Sequence, residues 1–152
     1  MSKSRSRRPS RRAEPAEPPP PRNQRIIGLD LGSRRIGVAI SDATGGFVAH
    51  RRVIERRNLV RDRAAVAAIT DDYPDATILV GLPLSLDGSD GPQAARTRRW
   101  AHQLLADQWD SVVLRDERLT TVAARERSGE RPIDAVAAEV LVQDFLNDRG
   151  AW

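Results

Sequence analysis

The chain has 152 residues, the length of one ordinary domain, with a formal net charge of +4 and no cysteine. Without cysteine it can form no disulfide and no thiolate metal site, so a bound metal would need carboxylate, histidine or water ligands. The sequence contains no apolar run of about 20 residues and no apolar signal segment. We therefore expect a cytoplasmic protein with no membrane partner.

The first 24 residues differ in composition from the rest of the chain. Residues 1–25 hold eight basic and two acidic side chains, a net charge of +6, which leaves −2 for the remainder. The segment is rich in proline and poor in apolar side chains, so it cannot bury enough surface to offset the entropy of ordering. We expect residues 1–24 to be a disordered basic tail, either solvated or in contact with nucleic-acid phosphates. Residues 25–150 should form the folded domain.

From residue 25 onward the pattern predicts a mixed α/β sheet. Three strands within residues 25–40 and 46–55 form an antiparallel meander, joined by glycine-containing turns. The later elements are then predicted in the order helix, strand, helix, strand, helix and helix, over residues 59–72, 76–84, 93–106, 111–115, 121–127 and 132–147. Buried strands that alternate with helices indicate parallel βα units after the antiparallel start.

Regular spacing of side chains supports two of these helices. In the helix over residues 59–72, the residues at helical spacing are Val60, Ala64, Ala67 and Ala68. In the last helix, one stripe contains Asp134, Ala138, Leu141 and Phe145. The second stripe predicts that an acid faces inward beside apolar neighbours, where it needs a partner.

Acids at three separate places are the candidates for chemistry. Asp30 lies in an apolar strand, where an ionised carboxylate costs several kcal/mol unless a turn or a cation neutralises it. Asp116 and Glu117 follow a buried strand and should point to opposite faces. Asp134 lies in the first turn of the last helix, where an acid also suits the helix dipole. Carboxylates that converge without histidine or cysteine suit one or two Mg²⁺ ions, which can promote phosphodiester hydrolysis.

Four blocks of the sequence resemble, in order, the signature motifs of the YqgF (RuvX) family. They read GLDLGSRRIGVA over residues 28–39, VGLPL over 80–84, DERLTT over 116–121 and IDAVAA over 133–138. The resemblance covers about residues 25–148. Four motifs that occur together are far more specific than any one of them alone.

The resemblance implies an RNase H-like fold, a mixed five-stranded sheet with helices on both faces, related to the RuvC-type Holliday junction resolvases. It implies a nuclease that uses Mg²⁺ or Mn²⁺ to mature the 5′ end of pre-16S rRNA, with branched DNA as the alternative partner. By motif match, the metal ligands would be Asp30, Glu117 and Asp134. Arg35 and Arg118 are candidates for phosphate contacts or for ion pairs with nearby acids. The assembly would be a monomer or a homodimer.

One departure from the family pattern leaves the activity open. The segment over residues 122–132 is shorter than in similar proteins and contains no lysine, which favours a noncatalytic RNA-binding role in ribosome assembly as the alternative. A strand with Asp-Leu-Gly-Ser before a hairpin is also similar to the phosphate loop of the actin, Hsp70 and sugar-kinase superfamily. Those proteins bind nucleotides in a cleft between two domains, and a chain with one domain cannot form that cleft.

Overall fold

The computed structural model describes residues 24–85, 87–117 and 133–149, with residues 133, 134 and 149 described by their backbone alone. Three predicted features lie outside these residues: the tail up to residue 23, the helix over residues 121–127 and the short 122–132 segment. In the described parts of the chain, no helix has the length and apolar character needed to cross a bilayer.

The fold is built on one mixed sheet of five strands in the order β3-β2-β1-β4-β5. The strands are β1 (Ile26–Leu31), β2 (Arg35–Ser41), β3 (Val48–Glu55), β4 (Thr77–Leu82) and β5 (Val112–Asp116). The first three are antiparallel, whereas β4 pairs in parallel with both β1 and β5. The predicted antiparallel start followed by parallel units is therefore confirmed.

Helices cover both faces of this sheet, as predicted. They are α1 (Leu59–Thr70), α2 (Pro92–Leu104) and α3 (Ile133–Arg149), with a short 3₁₀ helix (Ala106–Ser111) after α2. Side chains of α1 and α2 share one apolar core with the sheet, and side chains of α3 share the other. The sheet therefore lies between two apolar cores, as expected for strands that carry apolar side chains on both faces.

Side chains of β1 alternate between the two cores. Ile27 and Leu29 are buried towards α1 and α2, whereas Ile26 is buried towards α3. Gly28 and Asp30 share the α3 face with Ile26 because successive side chains point to opposite sides of a strand. A Cβ atom built on Gly28 would collide with Val142 of α3. The glycine thus lets α3 pack directly on the backbone of β1.

The buried face of α1 differs from the apolar spacing seen in the sequence. Val60 of that spacing is 78% exposed, and the buried residues of α1 are Asp62, Val66, Ile69 and Thr70. Asp62 occupies the inner face because Arg56 neutralises it, with Nε 3.2 Å from a carboxylate oxygen. The helix prediction is confirmed, but the spacing did not indicate its inner face.

Candidate active site

Two of the predicted acids lie side by side at the carboxyl ends of the parallel strands. Leu29 of β1 pairs with Val80 of β4, so Asp30 and Gly81 occupy the next step of the two neighbouring strands. Glu117 continues β5 by one residue, because its N–H donates to the carbonyl oxygen of Leu82 at 3.0 Å. Asp30 and Glu117 therefore flank Gly81 from either side.

The Glu117 carboxyl group lies directly over the backbone of Gly81. A Cβ atom built on Gly81 would be 2.7 Å from Glu117 Cδ and 3.3 Å from Leu141 Cδ2 of α3. The missing side chain of Gly81 therefore leaves the space that Glu117 occupies between β4 and α3. In this position Glu117 is only 7% exposed.

Burial and neighbouring charge make Glu117 a weak acid. Its pKa is raised from 4.5 to about 8, first by desolvation and then by the negative charges of Asp30 and Asp116. A buried carboxylate next to another carboxylate is unfavourable unless a cation neutralises the pair. The donors are also hard oxygen atoms, which are the ligands that Mg²⁺ and Mn²⁺ prefer. These residues therefore fit a divalent cation.

Asp116 points away from this pair. It pairs with Leu82 in the β4–β5 ladder and is exposed, and strand alternation sets it on the face opposite to Glu117. This arrangement is consistent with the prediction that the adjacent acids Asp116 and Glu117 point to opposite faces.

The third predicted acid, Asp134, is the second residue of α3. It lies one helical turn before Ala138, whose carbonyl oxygen would be 3.4 Å from a Cβ atom on Gly28. The side chain of Asp134 is outside the described part of the chain. Within that part, no three histidines, cysteines or acids are grouped to hold a metal, so the role of Asp134 stays a prediction.

The part of the chain that carries this site matches a known protein family. The RuvX family model, described as "Holliday junction resolvase", matches residues 24–148, which contain the five strands described above and nearly the whole of α3. The chain belongs to the RuvX family.

Curated relatives of this RuvX chain extend along most of its length. A protein from Moorella thermoacetica is 41% identical over 135 residues, which cover 83% of this chain and 96% of the relative. A protein from Myxococcus xanthus is 39% identical over 132 residues, which cover 81% and 87%. Both carry the name "Putative pre-16S rRNA nuclease".

Solved structures confirm the RNase H-like fold of the RuvX chain. Thermus thermophilus RuvC in complex with a Holliday junction aligns with a TM-score of 0.60 at 14% identity, over 84% of this chain and 95% of RuvC. The Fowlpox virus resolvase in complex with Holliday junction DNA aligns with a TM-score of 0.54 at 10% identity, over 82% and 98%. At these identities the likeness shows the fold alone.

The structure describes one of the two arginines of the RuvX chain that were predicted to bind phosphate, Arg35. Arg35 begins β2 beside the turn that follows Asp30, and its Nε lies 3.0 Å from Glu55 Oε1 of β3. Both side chains are about half exposed, and the role of Arg35 in phosphate binding stays a prediction. Arg118 lies outside the described residues, and its role stays a prediction.

Sequence reasoning missed a buried network at the turn after Asp30, on the α1 and α2 side of the sheet. The Nη1 of Arg56 donates to the carbonyl oxygen of Gly32 at 2.9 Å, and its Nε donates to Asp62. The Arg56 guanidinium also stacks on Trp100 of α2, 4.3 Å from the ring centroid. Arg56 is one of several neighbouring arginines, so no sequence pattern distinguishes it. Its contacts hold the turn that begins two residues after Asp30.

Proposed function

We propose that this chain is a metal-dependent nuclease that hydrolyses phosphodiester bonds in pre-16S rRNA during maturation of the 5′ end. The observation that carries the proposal is the pair of Asp30 and Glu117 on one face, at the edge of the sheet where α/β proteins bind their ligands. Membership of the RuvX family and the names of the curated relatives support the same substrate.

The proposed metal is Mg²⁺ or Mn²⁺, held by Asp30, Glu117 and Asp134. When bound, such an ion polarises a phosphoryl oxygen and lowers the pKa of a water molecule. Because its pKa is about 8, Glu117 holds a proton at neutral pH when no cation is present. It must release this proton to become a ligand, so metal affinity should rise with pH up to about 8.

Other residues of the chain would hold the substrate. Arg35 begins β2 opposite Gly32, in the turn that follows Asp30, and we expect it and Arg118 to contact phosphate groups. The domain assignment stays a prediction, with residues 25–150 as the nuclease domain and residues 1–24 as a basic tail that adds sequence-independent attraction to RNA. From membership of the RuvX family, we also propose a location in the cytoplasm and a monomeric or homodimeric state.

The test is cleavage of a labelled pre-16S rRNA 5′ leader with Mg²⁺ or Mn²⁺. Asp30→Asn should abolish cleavage, because it removes a carboxylate from the pair while keeping its shape. Asp110→Asn is the matched control, since it makes the same change in an exposed acid of the 3₁₀ helix before β5, at the opposite end of that strand, and should retain activity. Thermal unfolding of both variants would show that they are folded.

The second candidate function is cleavage of branched DNA, which the description of the family model favours. A four-way DNA junction should therefore be tested in parallel with the RNA. Cutting of the junction alone would replace the RNA proposal by a resolvase. RNA binding without cleavage of either substrate would instead support a noncatalytic assembly factor.

A further inference from the structure

A cavity of about 400 Å³ opens at the same end of the sheet as the acids, on the side of α1 and α2. One wall is the turn between β1 and β2, with Gly32 and Ser33, and the other is the stretch of α2 from Pro92 to Trp100, with Gln93 and Arg96. The volume is in the range of pockets that hold small ligands. It is not part of the acidic pair, whose side chains point to the α3 face.

The cavity has a positively charged rim. Its charge comes from Arg96, which lines the cavity and is exposed; Arg34, the exposed residue after Ser33 in the turn, lies outside the lining. In the described parts of the chain, neither guanidinium group forms an ion pair. Asp90, which lies just before α2, is paired with Arg98 at 2.8 Å. The rim is therefore suited to an anionic ligand.

Arg56 connects the two walls of the cavity. It donates to the carbonyl oxygen of Gly32 in one wall and stacks on Trp100 in the other. Its charge is balanced by Asp62, and the two side chains are only 14% and 4% exposed. A cavity held by a buried ion pair needs little ordering when a ligand binds, which favours affinity.

We propose that this cavity binds the nucleotide next to the scissile phosphate in the substrate strand. The proposal rests on the nuclease function proposed above and adds a second contact region to it. Gly32 follows Asp30 by two residues, about 7 Å along an extended strand, so a substrate that crosses the edge of the sheet reaches the cavity within one or two nucleotides.

The lining provides groups for each part of a nucleotide. Arg96 reaches the rim and binds the phosphate, which is the preferred ligand of a guanidinium group. Ser33 and Gln93 supply hydrogen-bonding groups for the ribose or the base. Arg56 and Arg96 lie 4.3 and 5.9 Å from the ring centroid of the half-buried Trp100. When Arg96 turns from the ring to the phosphate, Trp100 supplies an apolar contact for the base that does not depend on base identity.

The first test is binding of a fluorescein-labelled short single-stranded RNA in EDTA, measured by fluorescence anisotropy at several salt concentrations. Arg96→Gln should raise Kd about tenfold at low salt, as expected for loss of one charge-assisted hydrogen bond, and should reduce the salt slope by about one. The matched control is Arg99→Gln, an exposed arginine of α2 outside the cavity, which should change Kd less than about twofold. Equal weakening by both variants would overturn the proposal.

The second test locates the nucleotide by cleavage of RNA substrates that each carry one abasic position. With the wild-type protein, KM should rise at one position next to the scissile bond, and Trp100→Leu should remove that effect, because Trp100 is the residue assigned to the base. The same abasic profile in both proteins would refute this location. If the wild-type protein cuts no RNA but Arg96→Gln still weakens binding in EDTA, the nucleotide site stands and the nuclease proposal fails.

Discussion

Replacement of Glu117 by glutamine should stabilise the folded protein at neutral pH when metal is removed. In the folded state the pKa of Glu117 is about 8, against 4.5 for the ordinary carboxyl group. At pH 7 the unfolded chain has released this proton and the folded chain retains it. Each pKa unit corresponds to about 1.4 kcal/mol. Holding the proton at pH 7, well above the ordinary pKa of 4.5, therefore lowers the unfolding free energy of the wild-type protein by about 3 kcal/mol.

The pH dependence gives the sign of this effect. Because the pKa is raised in the folded state, the wild-type protein loses stability as the pH rises from about 4.5 to about 8. Glutamine has a similar shape and does not titrate, so Glu117→Gln removes this loss. The difference between the two proteins should be small at pH 5, reach about 3 kcal/mol at pH 7 and level off above pH 8.

The assay is urea denaturation of both proteins in EDTA at pH 5, 7 and 8.5. Glu55→Gln serves as the control, because Glu55 is a well-exposed acid on β3 and its replacement should change the unfolding free energy by less than about 1 kcal/mol. The reasoning is refuted if Glu117→Gln is no more stable than the wild-type protein at pH 7. Added Mg²⁺ should stabilise the wild-type protein and have little effect on Glu117→Gln.

Three further predictions follow from other contacts. Gly81→Ala should abolish cleavage and destabilise the fold by about 1–3 kcal/mol, because the new Cβ atom displaces the Glu117 carboxyl group; metal titration by calorimetry would detect the loss of the site. Arg56→Met should lower the urea unfolding free energy by about 3 kcal/mol or more, since Asp62 would remain buried without its cation. Asp42 accepts hydrogen bonds from Thr44 and from the backbone after it, which lowers its pKa to about 2. Asp42→Ala should therefore be less stable than the wild-type protein above about pH 4, and the difference should disappear as the pH falls towards 2, as thermal unfolding across this range would show.

The strands and the position of the acids were predictable because they depend on local patterns. Alternation within the β1–β2 hairpin fixes which face holds Asp30, and the apolar stripe of the last helix identifies Ala138, Leu141 and Phe145 as buried. The family resemblance added the choice of Glu117 over its neighbour Asp116. The first two inferences need only the chain within a few residues of the position in question, whereas the resemblance needs all four motifs.

The rest depends on contacts between distant parts of the chain. Asp62 is buried in α1 only because Arg56, from the segment after β3, reaches it and also stacks on Trp100 of α2. The raised pKa of Glu117 likewise requires a glycine on the neighbouring strand and a helix that covers it. The cavity between the β1–β2 turn and α2 has no sequence signature, because its walls come from residues about 60 positions apart.

The close approach of α3 to Gly28 has a consequence for how the sequence can change over time. A side chain at position 28 would occupy the space of the Val142 methyl groups. The sizes of the residues at positions 28 and 142 therefore together set the distance between α3 and β1. A mutation of Gly28 to alanine should be harmful by itself, but tolerated in a chain that has already replaced Val142 by a smaller residue. Among related sequences we expect these two positions to vary together, with a larger residue at one accompanied by a smaller residue at the other.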